Sequence, residues 1–112
     1  MFLHKNKFRT IVGLGTILKD VMWNSNRLLW VDLSYNYLEH IEEEIITSFP
    51  LLKTLYLHGN YIANLDEVKK LVALKDLHTL CLYGNPIEQI SGYRLWVLGV
   101  IYLSNDTLKK FD

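Results

Sequence analysis

One phrase recurs along this chain, three times in full and once clipped. Leu28-x-x-Val31-x-Leu33-x-x-Asn36-x-Leu38 is followed by Leu52-x-x-Leu55-x-Leu57-x-x-Asn60-x-Ile62 and by Leu77-x-x-Leu80-x-Leu82-x-x-Asn85-x-Ile87. Met1-x-Leu3-x-x-Asn6-x-Phe8 is the clipped copy at the start. The asparagines stand 30, 24 and 25 residues apart. Self-similarity at such an interval constrains the fold more than any other property of the chain. Each copy is one structural unit, too small to bury its own apolar face, and it must stack on its neighbours.

Within each copy the segments Val31-Asp32-Leu33, Leu55-Tyr56-Leu57 and Leu80-Cys81-Leu82 alternate apolar with other residues, the mark of a half-buried strand. Strands at the same point of successive turns run parallel and need crossovers, which the intervening residues supply. Each asparagine follows the strand where the chain must bend and turn backbone amides inward. An unpaired buried amide costs about 1–3 kcal/mol. An Asn side chain carries both a donor and an acceptor, so Asn6, Asn36, Asn60 and Asn85 are expected to form a structural ladder. The alternative is four exposed turn residues. The pattern is that of the leucine-rich repeat. It predicts a right-handed, curved α/β solenoid with short parallel strands on the concave face and helices or 3-10 turns on the convex face.

The crossovers carry helical spacing at Leu14, Ile17, Leu18 and Val21, after Gly13 and Gly15, and again at Val68, Leu71 and Leu74. Ile41, Ile45 and Phe49 are looser, and Pro50 ends that segment. Repeats are placed near 1–27, 28–51, 52–76 and 77–90, in a single domain spanning 1–112. Residues 91–112 read as a C-terminal cap, with Tyr93, Val97, Val100 and Ile101 on one helical face and a final strand near Leu108–Asp112. Pro86 holds Asn85 out of the helical region. Met1 falls in mid-repeat, so an N-terminal cap is absent or not included, or a partner covers that end.

The phrase Gly84-Asn85-Pro86 … Gly92-Tyr93-Arg94 … Val97 … Leu108 … Phe111-Asp112 resembles the cap of an intracellular leucine-rich repeat class. That class includes the axonemal dynein light chain, phosphatase-regulatory repeat proteins and the spliceosomal U2 A-prime type. In it Tyr93, Arg94, Val97 and Phe111 would form the cap. From about Leu28 to Asp112 the chain resembles the leucine-rich repeat-containing protein 51 family, through Leu29-Trp30-Val31-Asp32-Leu33-Ser34-Tyr35-Asn36 and above all Tyr56-Leu57-His58-Gly59-Asn60. Tyr56 and His58 are not demanded by the repeat. That family is associated with organisms that build motile cilia. The resemblance implies a component of a ciliary or flagellar axoneme, placed in the cytoplasm and cytoskeleton, and bound to other proteins of a large assembly. A soluble cytoplasmic regulatory or assembly factor is the alternative. The family's segment before the first repeat and its tail are missing from this chain.

Strand alternation puts Phe2 and His4, then Trp30, Asp32 and Ser34, then Thr54, Tyr56 and His58, then Thr79, Cys81 and Tyr83 on the concave side. Aromatics with polar neighbours are the usual anchors of protein interfaces, and concave faces are the usual binding surfaces of solenoids. The row suits a partner helix or strand better than a small molecule, since no deep pocket is implied. The alternative is that these rings pack on one another. The two terminal edges are a second candidate surface.

A formal net charge of +0 argues against a nucleic-acid binder, which needs a surplus of Lys and Arg. The longest apolar run, Leu95 to Leu103, is about half a membrane span. The single cysteine, Cys81, cannot make an internal disulfide and fits a reducing compartment. His58 and Cys81 sit on adjacent strands, yet no Cys-x-x-Cys or His-x-x-x-His frames a metal site. No third residue completes a catalytic set around Cys81, and Gly13-x-Gly15 lacks the rest of a phosphate loop. Neither metal nor cofactor is expected, nor catalysis. His40 and His78 read as surface residues. Glu42-Glu43-Glu44 and Lys69-Lys70 with Lys75 read as solvated charge patches.

Overall fold

The structure is a computed structural model that describes Leu3, Lys5 and residues 29–104 and 108–112. The expected first helix at Leu14–Val21, with Gly13 and Gly15, lies outside the described residues, as do Phe2, His4 and Asn6.

Among the described residues four short strands, β1 (Trp30–Asp32), β2 (Thr54–Tyr56), β3 (Thr79–Cys81) and β4 (Lys110–Phe111), form one parallel sheet in chain order. Register follows the repeat: Val31 pairs with Leu55, Leu55 with Leu80 and Leu80 with Phe111. The strands begin one residue earlier than the alternating triplets read from the sequence. Backbone bonding still runs on past them, with Leu33 N–H donating to Tyr56 O at 2.9 Å and Leu57 N–H to Cys81 O at 2.9 Å. Leu3 and Lys5 donate in the same manner to Asp32 O (2.7 Å) and Ser34 O (3.0 Å). Leu3 and Lys5 are therefore bonded alongside β1 as the later copies are bonded to each other.

The crossovers are short. Helix α1 spans Glu43–Ser48 and ends at Phe49, before Pro50. Helix α2 spans Leu65–Lys69 and runs into a 3-10 turn at Lys70–Ala73. The Asn64 side chain caps α2 by accepting the Asp66 N–H at 2.9 Å. A further 3-10 turn covers Pro86–Gln89, and helix α3 spans Tyr93–Ser104. Short crossovers are what repeats of this length leave room for.

The core is the set of repeat positions. Val31, Leu33, Leu38, Leu52, Leu55, Leu57, Ile62, Leu77, Leu80, Leu82 and Ile87 are buried, together with Ile41, Ile45, Val68, Leu71 and Leu74 from the crossovers. Glu67 ties two turns together. Its carboxylate accepts the Ile41 N–H (3.0 Å) and the Lys70 ammonium (2.7 Å) and bonds His40 Nδ1 (3.0 Å). Burial pushes Glu67 up, but these bonds to Lys70, His40 and Ile41 hold it below the ordinary carboxylate range.

Candidate functional site: the concave aromatic face

The bend after each strand sets the geometry of the site. Asn60 Nδ2 donates to Leu57 O (2.9 Å) in its own turn and Leu33 O (3.0 Å) in the turn before, while its Oδ1 accepts the Leu38 N–H (3.0 Å). Asn85 repeats the pattern with Leu82 O (2.8 Å), Leu57 O (2.9 Å) and the Ile62 N–H (3.0 Å). Asn36 reaches Leu33 O (2.9 Å) and Leu3 O (3.0 Å). All three are buried. The residue before each asparagine is left-handed: Lys5 at φ 58°, Tyr35 at 56°, Gly59 at 73° and Gly84 at 75°. Glycine takes that conformation freely, whereas Tyr35 holds it at a steric cost.

This turn aims side chains at the concave rim. The Tyr35 ring lies over Gly59, so close that a Cβ built on Gly59 would stand 2.5 Å from Tyr35 Cδ1. His58 is the hub. It stacks on Tyr83 (centroids 4.5 Å apart, 11° between planes) and meets Tyr35 (5.2 Å) and Tyr56 (5.9 Å) edge-on. The neighbouring Tyr35 hydroxyl, with burial, pushes the Tyr83 hydroxyl above the ordinary phenol range. Tyr35 and Tyr83 remain 48% and 45% exposed. The rings do pack on one another, and they still present a broad aromatic surface.

His58 Nδ1 is sealed from solvent and has no hydrogen-bond partner among the described residues. A proton there would be a buried donor with no acceptor, so the ring favours the neutral form with its proton on Nε2. Burial accordingly lowers the His58 pKa below its ordinary 6.5, and the nearby Asp32 carboxylate offsets part of that effect. Asp32 accepts from the Ser34 N–H (2.9 Å) and hydroxyl (2.6 Å).

The remaining residues of the expected row divide. Trp30 is exposed, and Asp32, Thr54 and Tyr56 are half-buried. Thr79 and Cys81 hold the expected register but are only 9% and 7% exposed. They sit on β3, flanked by β2 and β4, and offer a partner little surface. Burial, and the negative Asp112 next, pushes the Cys81 thiol up, which keeps it protonated and poorly nucleophilic at neutral pH. His58 lies against Tyr83, whereas Cys81 pairs in register with Tyr56. Among the described residues no group of three or more His, Cys, Asp or Glu is placed to hold a metal ion, and no helix is long and apolar enough to cross a membrane.

Sequence reading missed Tyr35, the residue that closes over His58. Its signal was positional: it occupies the place that Gly59 and Gly84 hold in the later repeats. Tyr37 and Tyr61, each just after a ladder asparagine, form a second exposed stack with centroids 5.7 Å apart.

At the cap, Tyr93, Val97 and Phe111 are buried, and Tyr93 meets Phe111 edge-on at 6.0 Å. Arg94 Nη2 donates to Phe111 O at 3.0 Å, with the guanidinium 4.9 Å above the Phe111 ring.

Parallel strands stacked turn on turn, with an inward asparagine at each bend, define a solenoid repeat protein. The chain belongs to the leucine-rich repeat family, whose model matches residues 6–107. It is similar to leucine-rich repeat-containing protein 51 of Rattus norvegicus, 40% identical over 98 residues that cover 88% of this chain and 50% of the relative. The Homo sapiens counterpart is 39% identical over the same lengths. The chain thus spans about half the length of these relatives. Its fold is similar to that in the Chaetomium Mex67:Mtr2 subunits, with a TM-score of 0.74, 19% identity, and 99% of this chain matched to 77% of that one. It is also similar to that in the Drosophila melanogaster SNF/U2A′ complex, with a TM-score of 0.66, 22% identity, and 99% matched to 70%.

Proposed function

We propose that this chain is a non-catalytic adaptor that holds a segment of another protein on its concave aromatic face, as a component of a ciliary or flagellar axonemal assembly. The carrying observation is the Tyr35–His58–Tyr83 cluster. Its rings are fixed by mutual packing yet still face solvent, so little side-chain entropy remains to be lost on binding. Rigid Tyr and Trp side chains of this kind are the usual anchors of protein interfaces. The structural neighbours stand in assemblies by name, Mex67 with Mtr2 and SNF with U2A′. The axonemal setting rests on the likeness to leucine-rich repeat-containing protein 51, together with the expectation, drawn from that resemblance, that the family belongs to organisms that build motile cilia.

Tyr56→Ala combined with Tyr83→Ala removes two concave rings without touching the leucine core. Losing a single anchor of this type weakens binding by about 2 kcal/mol or more, roughly thirtyfold. The double variant should fold normally by circular dichroism and fail to enter axonemes of ciliated cells. Glu43→Ala, on the exposed surface of α1, should enter as wild type does. Incorporation of the concave variant at wild-type levels would sink the assignment of this face. Release of the wild-type chain from isolated axonemes by detergent and high salt would favour the soluble regulatory factor instead.

A further inference from the structure

Helix α3 reads Tyr93-Arg-Leu-Trp-Val-Leu-Gly-Val-Ile-Tyr-Leu-Ser104, with Arg94 its single charge. A helix apolar all round is ordinarily covered on every side. Tyr93, Val97 and Ile101 are buried against the last turns of the solenoid. The opposite face is open: Leu95 is 79% exposed, and Leu98 and Tyr102 are exposed as well.

Leu95, Leu98, Gly99 and Tyr102 stand at i, i+3, i+4 and i+7. Four residues at that spacing form the hole into which a neighbouring helix inserts one side chain. Gly99 is the floor of the hole, and a Cβ built there would meet nothing within 4 Å. With Leu108 and Phe111 these residues line a groove of about 590 Å³. Its other lining residues are Lys109 and Lys110, and no carboxylate lines it among the described residues. Neither lysine makes an ion pair among the described residues.

We propose that this groove docks an amphipathic helix of a partner protein, with an apolar stripe that enters the Gly99 hole and carboxylates on its flank that meet Lys109 and Lys110. A strand is disfavoured there. β4 is the outer strand of the sheet among the described residues, but its Phe111 carbonyl is already taken by Arg94, which blunts the edge against strand addition. A helix docks through side chains and has no need of that carbonyl. The groove lies on the cap and meets the end of the concave row, where Lys110 stands in register with Thr79 and Leu95 shares a hollow with Tyr83.

The probe is a fluorescein-labelled helical peptide with leucines at i, i+3, i+4 and i+7 and glutamates beside them, read by fluorescence anisotropy. It should bind the chain saturably. Leu95→Glu and Gly99→Leu, both directed into open space, should each weaken it by about tenfold or more. The same peptide with lysines for glutamates should bind less well to the wild type and better to a Lys109→Glu, Lys110→Glu variant. Tyr56→Ala, outside the groove and the hollow beside it, should bind the probe as wild type does, which separates this site from the middle of the concave face. Absence of saturable binding, or binding indifferent to Leu95→Glu, would overturn the proposal. So would a wild-type dimer in sedimentation that Leu95→Glu dissolves, which would make a second copy the occupant. Leu95-dependent uptake by phosphatidylserine vesicles would do the same in favour of a lipid surface.

Discussion

Asn60 concentrates three buried hydrogen bonds in one side chain, two given and one accepted, across two turns. Asn60→Leu keeps similar bulk but strands the Leu38 N–H and two carbonyls inside the bend. Leaving such groups unpaired costs about 1–3 kcal/mol each at the upper end, partly relieved by local relaxation. Urea denaturation should show a loss in this range, and a negligible loss would mean the ladder is not needed. His58 gives a second residue-scale expectation, this one in pH. Its pKa is about 6.5 when unfolded and lower when folded, because burial disfavours the charge while Asp32 compensates only in part. Above 6.5 the ring is neutral in both states and has no effect on stability. As pH falls through 6.5 toward the folded value, the unfolded chain takes up the proton first and stability is lost. His58→Phe should flatten that limb, seen as a smaller difference in denaturation midpoint between about pH 7.5 and about pH 5.5 than in wild type. An equal difference in the two proteins would assign the pH dependence to other groups.

At the scale of elements, the cap is where a single helix decides whether the stack is sealed. Tyr93 and Val97 fill the end of the core beneath α3, and Tyr93 also meets Phe111 of β4. Truncating both to alanine should cost about 3–5 kcal/mol, in the range of large core deletions. Circular dichroism should show lost helix, and sedimentation should show aggregation; a monomeric double variant of unchanged stability would mean that α3 does not seal the end. The strands, their parallel order and the positions of the ladder asparagines were legible in the sequence, because each is set by a side chain that recurs at one place in every copy. The rest was not legible, for physical reasons specific to each residue. Burial of Thr79 and Cys81 depends on β4 arriving beside β3, and β4 lies about 30 residues further along the chain. The part of Tyr35 depends on a left-handed backbone that three different residue types share, so composition at that place gives no sign of it. The buried face of α3, with Tyr93, Val97 and Ile101, is the one the sequence named for the cap, whereas the exposure of the opposite apolar face at Leu95, Leu98 and Tyr102 had no sign in the sequence.

Across the whole molecule, each strand is bonded to the strands before and after it in sequence, β1 through β4, with Leu3 and Lys5 continuing the series beyond β1. Stability in such an array is close to a sum of unit and nearest-neighbour contributions. Local opening is therefore expected to begin at the ends and move inward. In the free chain the amides of Leu55 and Leu80, on the central strands, should exchange with deuterium more slowly than those of β1 and β4; uniform exchange across the four strands would contradict this gradient. The concave cluster spans three of the turns, with Tyr35 from the first, His58 from the second and Tyr83 from the third. A partner gripping all three is thus fastened to turns that otherwise hold together only one junction at a time. It acts as a brace, and once it is bound those turns should open together or not at all, turning a graded array into a single cooperative unit.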